Sequence, residues 1–461
     1  MLFSSFAFLF WFLPITLLLY FLPLLFKRSG TRTLLWQNVL LFAASLLFYA
    51  WGEPVYLFLM IATVLLNTAL AAAIPHARHP RFPLFAAILL DVLLLIFFKY
   101  LPLLGLPAPR LPLGISFYTF QALSYVADVY RGHAKAEKNP FYVGLYIALF
   151  PQLIAGPIVR YTDVAVALHK REHSLQNAAY GVRRFAMGLA KKLLLANPMG
   201  ALFAAYTATT EGGAVGAWLA LVGFAFQIYF DFSGYSDMAI GLGRLFGFAF
   251  PENFNYPYVA TSVSDFWRRW HITLSSFFRE YVYFPLGGSR RTSAVTVRNL
   301  LIVWLLTGLW HGAAWSFVLW GFYYFVLLSL EKFVLRDILT RLPTFLKILL
   351  TNLATLGGWL LFAFDGGSRA LSLSALPRFV ARLFGAGGLW RGAELYDLLR
   401  SLPLLLICAL AATPLPKMLF TRLTDQKNAA FLKTALPLFL LLLSVAALAD
   451  AGYNPFLYFR F

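Results

Sequence analysis

Apolar runs recur from one end of the chain to the other, most of them about 18 to 25 residues and long enough to cross a hydrocarbon core roughly 30 Å thick. They lie near Phe6–Phe26, Thr33–Trp51, Val55–Ile74, Phe82–Leu104, Phe141–Val159, Leu300–Val334, Phe345–Phe364, Pro403–Ala412 (a short one) and Ala435–Ala449. A soluble chain of 461 residues would divide into domains joined by polar linkers, and none separate these runs. Only 12% of the residues are charged, against about 25% in average soluble domains. The pattern predicts an all-α polytopic integral membrane protein with roughly 11 to 13 membrane-embedded helices. The first run is too long for a signal-peptide core and lacks both a basic leader and a small-residue cleavage site, so it reads as a retained span.

Charge fixes an expected orientation. Lys and Arg number 38 against 19 Asp and Glu, a net charge of +19. In a soluble protein that balance would suggest nucleic acid. Here the basic residues sit in short loops, Lys27-Arg28 with Arg32 and Arg78 with Arg81, where they orient helices and meet anionic lipid headgroups. Nucleic acid is therefore not an expected partner; membrane lipid is. The first loop holds three Lys/Arg, the second (Gly52-Glu53-Pro54) none and the third two, which puts the first and third inside and the N-terminus outside. The single cysteine, Cys408, excludes an internal disulfide and a cysteine metal cluster.

The expected organisation is one membrane domain, residues 1–461, with N-terminal spans over 1–105, a core of broken or re-entrant helices over 106–335 and C-terminal spans over 336–461. The core differs in texture. Leu113–Tyr125 mixes aromatics with hydroxyls and an amide after a Pro-rich stretch, and the run from Phe141 meets Pro151-Gln152 and Gly156-Pro157. Gly181 to Asn197 reads as a basic amphipathic segment lying along the interface. Polar, broken backbone at membrane depth is tolerated where protein buries it or water lines it, so the core is expected to enclose a cavity. No fixed-period repeat supports a transporter-like duplication.

Four constellations could carry chemistry. His169-Lys-Arg-Glu-His173 matches H-x-x-E-H formally, but its charged surroundings read as a solvated cytoplasmic turn, and no metal is expected. Gly241-Leu-Gly243-Arg-Leu-Phe-Gly247 is one residue too long for a phosphate loop and has no preceding strand, so it reads as a close helix approach. Gln227-Ile-Tyr-Phe-Asp231-Phe-Ser-Gly-Tyr-Ser-Asp237 ends a long apolar run with two carboxylates. Either it marks a functional site at membrane depth, or the span ends at Phe230 and these residues cap the next helix. The fourth is a histidine pair. His271 lies in Asp265-Phe-Trp-Arg-Arg-Trp-His-Ile-Thr-Leu-Ser, and His311 in Leu306-Thr-Gly-Leu-Trp310-His-Gly-Ala-Ala-Trp. The other five histidines sit in charged loops, whereas His311 stands mid-run between Leu300 and Leu330. An imidazole there can take a proton from a hydroxyl and is costly to bury without purpose. Gly308 and Gly312 beside it are expected to admit a substrate close to the backbone. The bland reading of both histidines is a hydrogen bond between helices.

Asp231-Phe-Ser-Gly-Tyr-Ser-Asp-Met-Ala-Ile-Gly, Asn253-Phe-Asn-Tyr-Pro-Tyr, Phe266-Trp-Arg-Arg-Trp-His-Ile-Thr-Leu-Ser and Leu309-Trp-His-Gly resemble the membrane-bound O-acyltransferase family. Within it the chain is similar to the bacterial alginate O-acetyltransferase branch, related to the teichoic-acid D-alanyl transfer protein. Tyr49-Ala-Trp-Gly-Glu-Pro, Leu113–Gln121, Pro151–Ile158 and the terminal Asn454–Phe461 extend the likeness over the whole length. Trp359-Leu-Leu-Phe-Ala-Phe-Asp departs from it, since relatives usually carry an arginine there.

The resemblance implies a helical ring around a thin funnel, with His311 at its bottom as the base and His271 as a second, positioning or proton-accepting group. Trp310, Asp265, Arg268, Gln227 and Asp231 would form the supporting core, and Arg268, Arg269, Lys191 and Lys192 would face the donor's phosphates from the cytoplasm. The donor would be an acyl thioester, acetyl-CoA or an acyl carrier protein, used as substrate with no bound cofactor. The acyl group, acetyl in the alginate branch, would pass to hydroxyls of a cell-surface polysaccharide through an extracytoplasmic serine-hydrolase-like partner. The expected location is the bacterial inner membrane. D-alanyl transfer to a cell-wall polymer, a transporter or channel, and a non-catalytic scaffold remain as alternatives.

Overall fold

A computed structural model describes residues 1–26, 30–101, 106–107, 109–208, 211–365, 371–425, 431–450 and 457. Among them there is no strand; the chain is all-α. A π-helix, Ala7–Phe12, opens it and leads into α1 (Leu13–Leu25), followed by α2 (Thr31–Ala50), α3 (Tyr56–Ala73) and α4 (Arg81–Lys99). Shorter helices come next: α5 (Ile115–Tyr130), α6 (Pro140–Ala148), α7 (Phe150–Leu153), α8 (Tyr161–His169), α9 (Leu175–Ala190) and α10 (Asn197–Thr207). The long α11 (Ala214–Leu245) precedes α12 (Val263–Arg269) and α13 (Ile272–Phe278), then α14 (Ser293–His311), α15 (Trp315–Phe333), α16 (Arg336–Arg341) and α17 (Thr344–Ala363). The remainder is α18 (Leu376–Leu383), α19 (Gly392–Ala411), α20 (Leu415–Thr424) and α21 (Leu432–Asp450).

Nine helices among the described residues are long and apolar enough to cross a membrane, and ten if α19 and α20, bent by 73°, count as one span. The expected 11 to 13 embedded helices overshoot this number of full spans. The run from Phe141 falls short of a full span, whereas the run Leu300–Val334 holds two. The run from Phe141 breaks at Leu149 (ψ 109°) between α6 and α7. The run Leu300–Val334 breaks after His311, at the extended Gly312, into α14 and α15. Pro151-Gln152 and His311 stand at these breaks, but aromatic and apolar residues on both sides carry each run across them in hydropathy. The Lys27-Arg28 half of the first basic loop and most of the Asn454–Phe461 motif lie outside the described residues.

Two compact units share the chain. The first comprises Met1–Leu189, Tyr235–Glu252 and Leu448–Phe459. Its centre is phenylalanine: Phe3 stacks on Tyr235 with centroids 4.5 Å apart, and Phe8, Phe12, Phe48 and Phe150 close around it. Gly181 of α9 and Gly241 of α11 meet so closely that a Cβ on either would lie 2.6–2.7 Å from the other's carbonyl oxygen. Small residues here serve helix approach, as the Gly241–Gly247 spacing predicts. Arg184 of α9 pairs Asp237 at 2.6 Å and Glu252 at 2.5 Å.

The second unit comprises Ala190–Gly234 and Asn253–Ala447. Its closest helix pair is α14 with α15. A Cβ on Gly308 would fall 2.3 Å from the Phe317 carbonyl oxygen, and one on Gly321 2.4 Å from that of Trp304. Gly308 thus seats α15, and a Cβ on Gly312 would meet the Phe317 ring at 2.9 Å. Both glycines serve helix packing, which replaces the expected role of admitting substrate.

Candidate active site

The two histidines belong to the second unit, and the structure brings both to one tryptophan. His311 is the last residue of α14, and His271 is the hinge between α12 and α13. Trp310 lies 4.9 Å from the His311 ring and 6.1 Å from the His271 ring, centroid to centroid. His311 is 6% exposed and His271 2%. His311 is therefore a helix-end residue at a chain break, not the mid-run residue that hydropathy suggests. Trp320 and Phe362 present edges to its ring at 5.1 and 5.0 Å, so aromatic walls from α15 and α17 enclose the imidazole. Phe362 belongs to the Trp359-Leu-Leu-Phe stretch, which gives that stretch a place at the site. Trp359 adds a hydrogen bond from Nε1 to the Tyr258 hydroxyl at 3.1 Å.

His271 sits in a strained turn. Its φ of 43° and ψ of 55° are left-handed, a conformation β-carbon sterics disfavour outside glycine. An antiparallel segment holds it there. Asn255 N–H donates to the Arg269 carbonyl at 2.9 Å, and Ile272 N–H to the Asn253 carbonyl at 3.0 Å. Between these bonds the Asn253 side-chain oxygen takes three further contacts: His271 Nδ1 at 3.0 Å, Thr273 Oγ1 at 2.9 Å and Thr273 N at 3.4 Å. Burial pushes the His271 pKa down to about 3, so the ring is neutral at physiological pH. Non-glycine strain of this kind persists where surroundings over-determine it, and functional sites are where it collects.

Other elements fix the short helix that carries His271. Trp267 packs into Trp304, Trp320 and Tyr324 at 4.8–5.5 Å. Glu331 of α15 accepts from the backbone N–H groups of Val263 (2.7 Å) and Ser264 (3.1 Å), satisfying donors at the start of α12. Asn253, Glu331 and Phe362 are the residues that the sequence analysis does not single out. Asn253 stands inside a quoted motif; Glu331, at the end of an apolar run, carries no local signal.

The supporting residues scatter. Asp265 accepts from Thr261 N–H at 3.2 Å and pairs Arg269 at 3.0 Å across one helical turn, so both close the 261–269 turn. Arg268 is exposed. Gln227 packs on Gly200 of α10, where a Cβ would lie 2.4 Å from its Nε2. Asp231 and Lys192 form a buried ion pair at 2.7 Å, both side chains under 5% exposed. Lys192 is therefore buried in an ion pair where an exposed, cytoplasm-facing cation is expected, and Lys191 beside it is half-buried. The basic segment they belong to joins a π-helix, Lys191–Ala196, that packs into the unit and does not lie wholly along an interface. α11 runs unbroken through Asp231 and Asp237, so the reading in which the span ends at Phe230 fails.

The His169–His173 turn is not a solvated turn throughout. His169 Nε2 meets Glu137 Oε2 at 3.1 Å, whereas His173 packs edge-on against Tyr20 and Phe21 at 5.5 Å. Arg171 reaches inward to Asn38 and lies over Phe248 at 4.8 Å. Separate partners for the two imidazoles suit packing, and burial beside Arg171 lowers the His173 pKa. Replacing both histidines by alanine is expected to leave acyl transfer per molecule of accumulated protein within about threefold, since their partners Glu137, Tyr20 and Phe21 belong to packing. Stoichiometric zinc in the purified protein, absent from that double variant, would overturn this.

Comparison with known proteins completes the picture. The membrane-bound O-acyltransferase family pattern (MBOAT) matches residues 133–373, which include both histidines. A "Probable alginate O-acetylase AlgI" of Pseudomonas aeruginosa is 38% identical over 419 residues, covering 86% of this chain and 77% of that protein. A "Peptidoglycan O-acetyltransferase" of Helicobacter pylori is 34% identical, over 84% of this chain and 80% of its own. A "Teichoic acid D-alanyltransferase" of Bacillus subtilis is 31% identical, over 54% of this chain and 67% of its own. With this identity, this coverage and nine candidate spans, the chain belongs to the membrane-bound O-acyltransferase family: it is a multi-pass integral membrane protein and an O-acyltransferase.

Proposed function

We propose that this enzyme passes an acetyl group from a cytoplasmic thioester, acetyl-CoA or an acyl carrier protein, towards hydroxyls of an extracytoplasmic polysaccharide in the bacterial inner membrane. The observation that carries the reading is the convergence of two buried histidines on Trp310. The acceptor hydroxyl gives its proton to His311 as its oxygen attacks the thioester carbonyl carbon. The tetrahedral intermediate collapses, the C–S bond breaks, and the departing thiolate takes the proton from His311, which returns to the neutral imidazole, so charge and atoms balance. His271 is the second group, positioning the acceptor or accepting a proton. Arg268, exposed and on the same short helix as Trp267, is the remaining basic candidate for donor phosphates. A separate extracytoplasmic protein of serine-hydrolase type would complete delivery to the polymer.

Acetyl is favoured over D-alanyl because the O-acetylating relatives cover 84–86% of this chain and the D-alanyl relative 54%. The experiment is the O-acetyl ester content of the cell-surface glycan in cells making the wild-type chain or His311→Ala; equal content would refute the reading.

The orientation has its own test. After replacement of the buried Cys408, a cysteine in place of Pro54 is expected to react with an impermeant thiol reagent on intact cells. One in place of His79 is expected to react only after permeabilisation, because the loop holding Arg78 and Arg81 lies inside. Labelling of the His79 position from outside would reverse the topology.

A further inference from the structure

We propose that Asn253 is a positioning residue that locks His271 in the tautomer bearing its proton on Nδ1, so that Nε2 is the basic nitrogen offered to the reaction. This rests on the acyl-transfer reading above. The assignment follows from donors and acceptors. The atom of Asn253 that faces His271 also faces the Thr273 backbone N–H at 3.4 Å, and an N–H can only donate. That atom is therefore the amide oxygen, as its 2.9 Å contact with Thr273 Oγ1 also allows. An acceptor at 3.0 Å from Nδ1 requires the imidazole to donate from Nδ1. A neutral imidazole carries one N–H, so the lone pair is on Nε2.

The same asparagine also fixes the ring's place. Its backbone carbonyl takes Ile272 N–H at 3.0 Å, and Asn255 N–H holds the Arg269 carbonyl at 2.9 Å. Residues 253–255 are thus a two-sided clip on the strained 269–272 turn, with the tautomer-setting oxygen at its middle. Asn253 is itself fully buried. Phe232 covers one side of the His271 ring edge-on at 4.7 Å.

The test is a double-mutant cycle read as glycan O-acetyl content at matched protein levels. Asn253→Leu removes the acceptor and is expected to lower transfer at least about tenfold, to the level of His271→Ala. The double variant should fall no further, because residues that act as a unit are non-additive. Asn253→Asp, which still accepts from Nδ1, should stay within about threefold of wild type. Thr273→Val, which removes only the Oγ1 bond, should do the same. Multiplying losses in the double variant would mark two independent roles and overturn the proposal. So would full activity in Asn253→Leu, or loss in Asn253→Asp at wild-type accumulation. If Asn253→Leu does not accumulate, the Asn253→Asp and Thr273→Val pair decides alone. Undiminished transfer in His311→Ala and His271→Ala would instead sink the acyl-transfer reading itself, so the two failures are distinguishable.

Discussion

His311→Ala is expected to reduce glycan O-acetylation by about 10² to 10⁴, the usual consequence of losing a general base, while the protein accumulates in the membrane normally. The second half of that expectation comes from the packing. His311 is the final residue of α14, so an alanine there interrupts no internal helix bond. The neighbours that fix the α14–α15 crossing are Gly308 and Gly321, and they stay in place. The cavity left by the imidazole is walled by Trp310, Trp320 and Phe362, rings large enough to keep the fold and too rigid to replace a base. His271→Ala should also impair transfer, by less if its part is positioning. Ester content at matched protein levels separates catalysis from folding. A His311→Ala strain with wild-type ester content would leave the pair as a structural contact and revive the scaffold reading.

How far the sequence reaches can be judged at individual residues. The membrane class, the N-terminal spans and the pairing of His271 with His311 follow from run length and from where ionisable residues interrupt apolar sequence, because lipid penalises exactly those events. Boundaries inside aromatic runs do not follow. Apolar sequence resumes directly after His311-Gly312, so the run reads on across the break between α14 and α15, and the meaning of Gly308 depends on Phe317, nine residues on and facing back. Partners across long separations are hidden for the same reason. Nothing near Glu331 says that its carboxylate will hold the start of α12, 67 residues earlier. Asn253 opens the Asn-Phe-Asn-Tyr-Pro-Tyr motif, yet its hold on His271 exists only once the 253–255 segment lies beside the 269–272 turn.

Lys192 shows the same limit and gives the second large effect. A lysine in a basic segment reads as a surface cation, but the π-helix Lys191–Ala196 turns it inward to Asp231, 39 residues away. Asp231→Asn should therefore destabilise the protein by about 3–5 kcal/mol, since removing one partner strands a buried charge. Lys192→Met should do the same from the other side. The measurement is thermal stability of the detergent-solubilised protein, with membrane accumulation beside it. The pair Lys192→Met with Asp231→Leu removes both charges and is expected to recover most of the loss, because buried ion pairs replaced by apolar groups of similar volume are often neutral. A donor-phosphate role predicts a different pattern: Lys192→Met would fold and accumulate as wild type, transfer poorly, and gain nothing from the second substitution. Asp231 decides between them, because a phosphate ligand has no need of a carboxylate 2.7 Å from its ammonium nitrogen, whereas a buried lysine does.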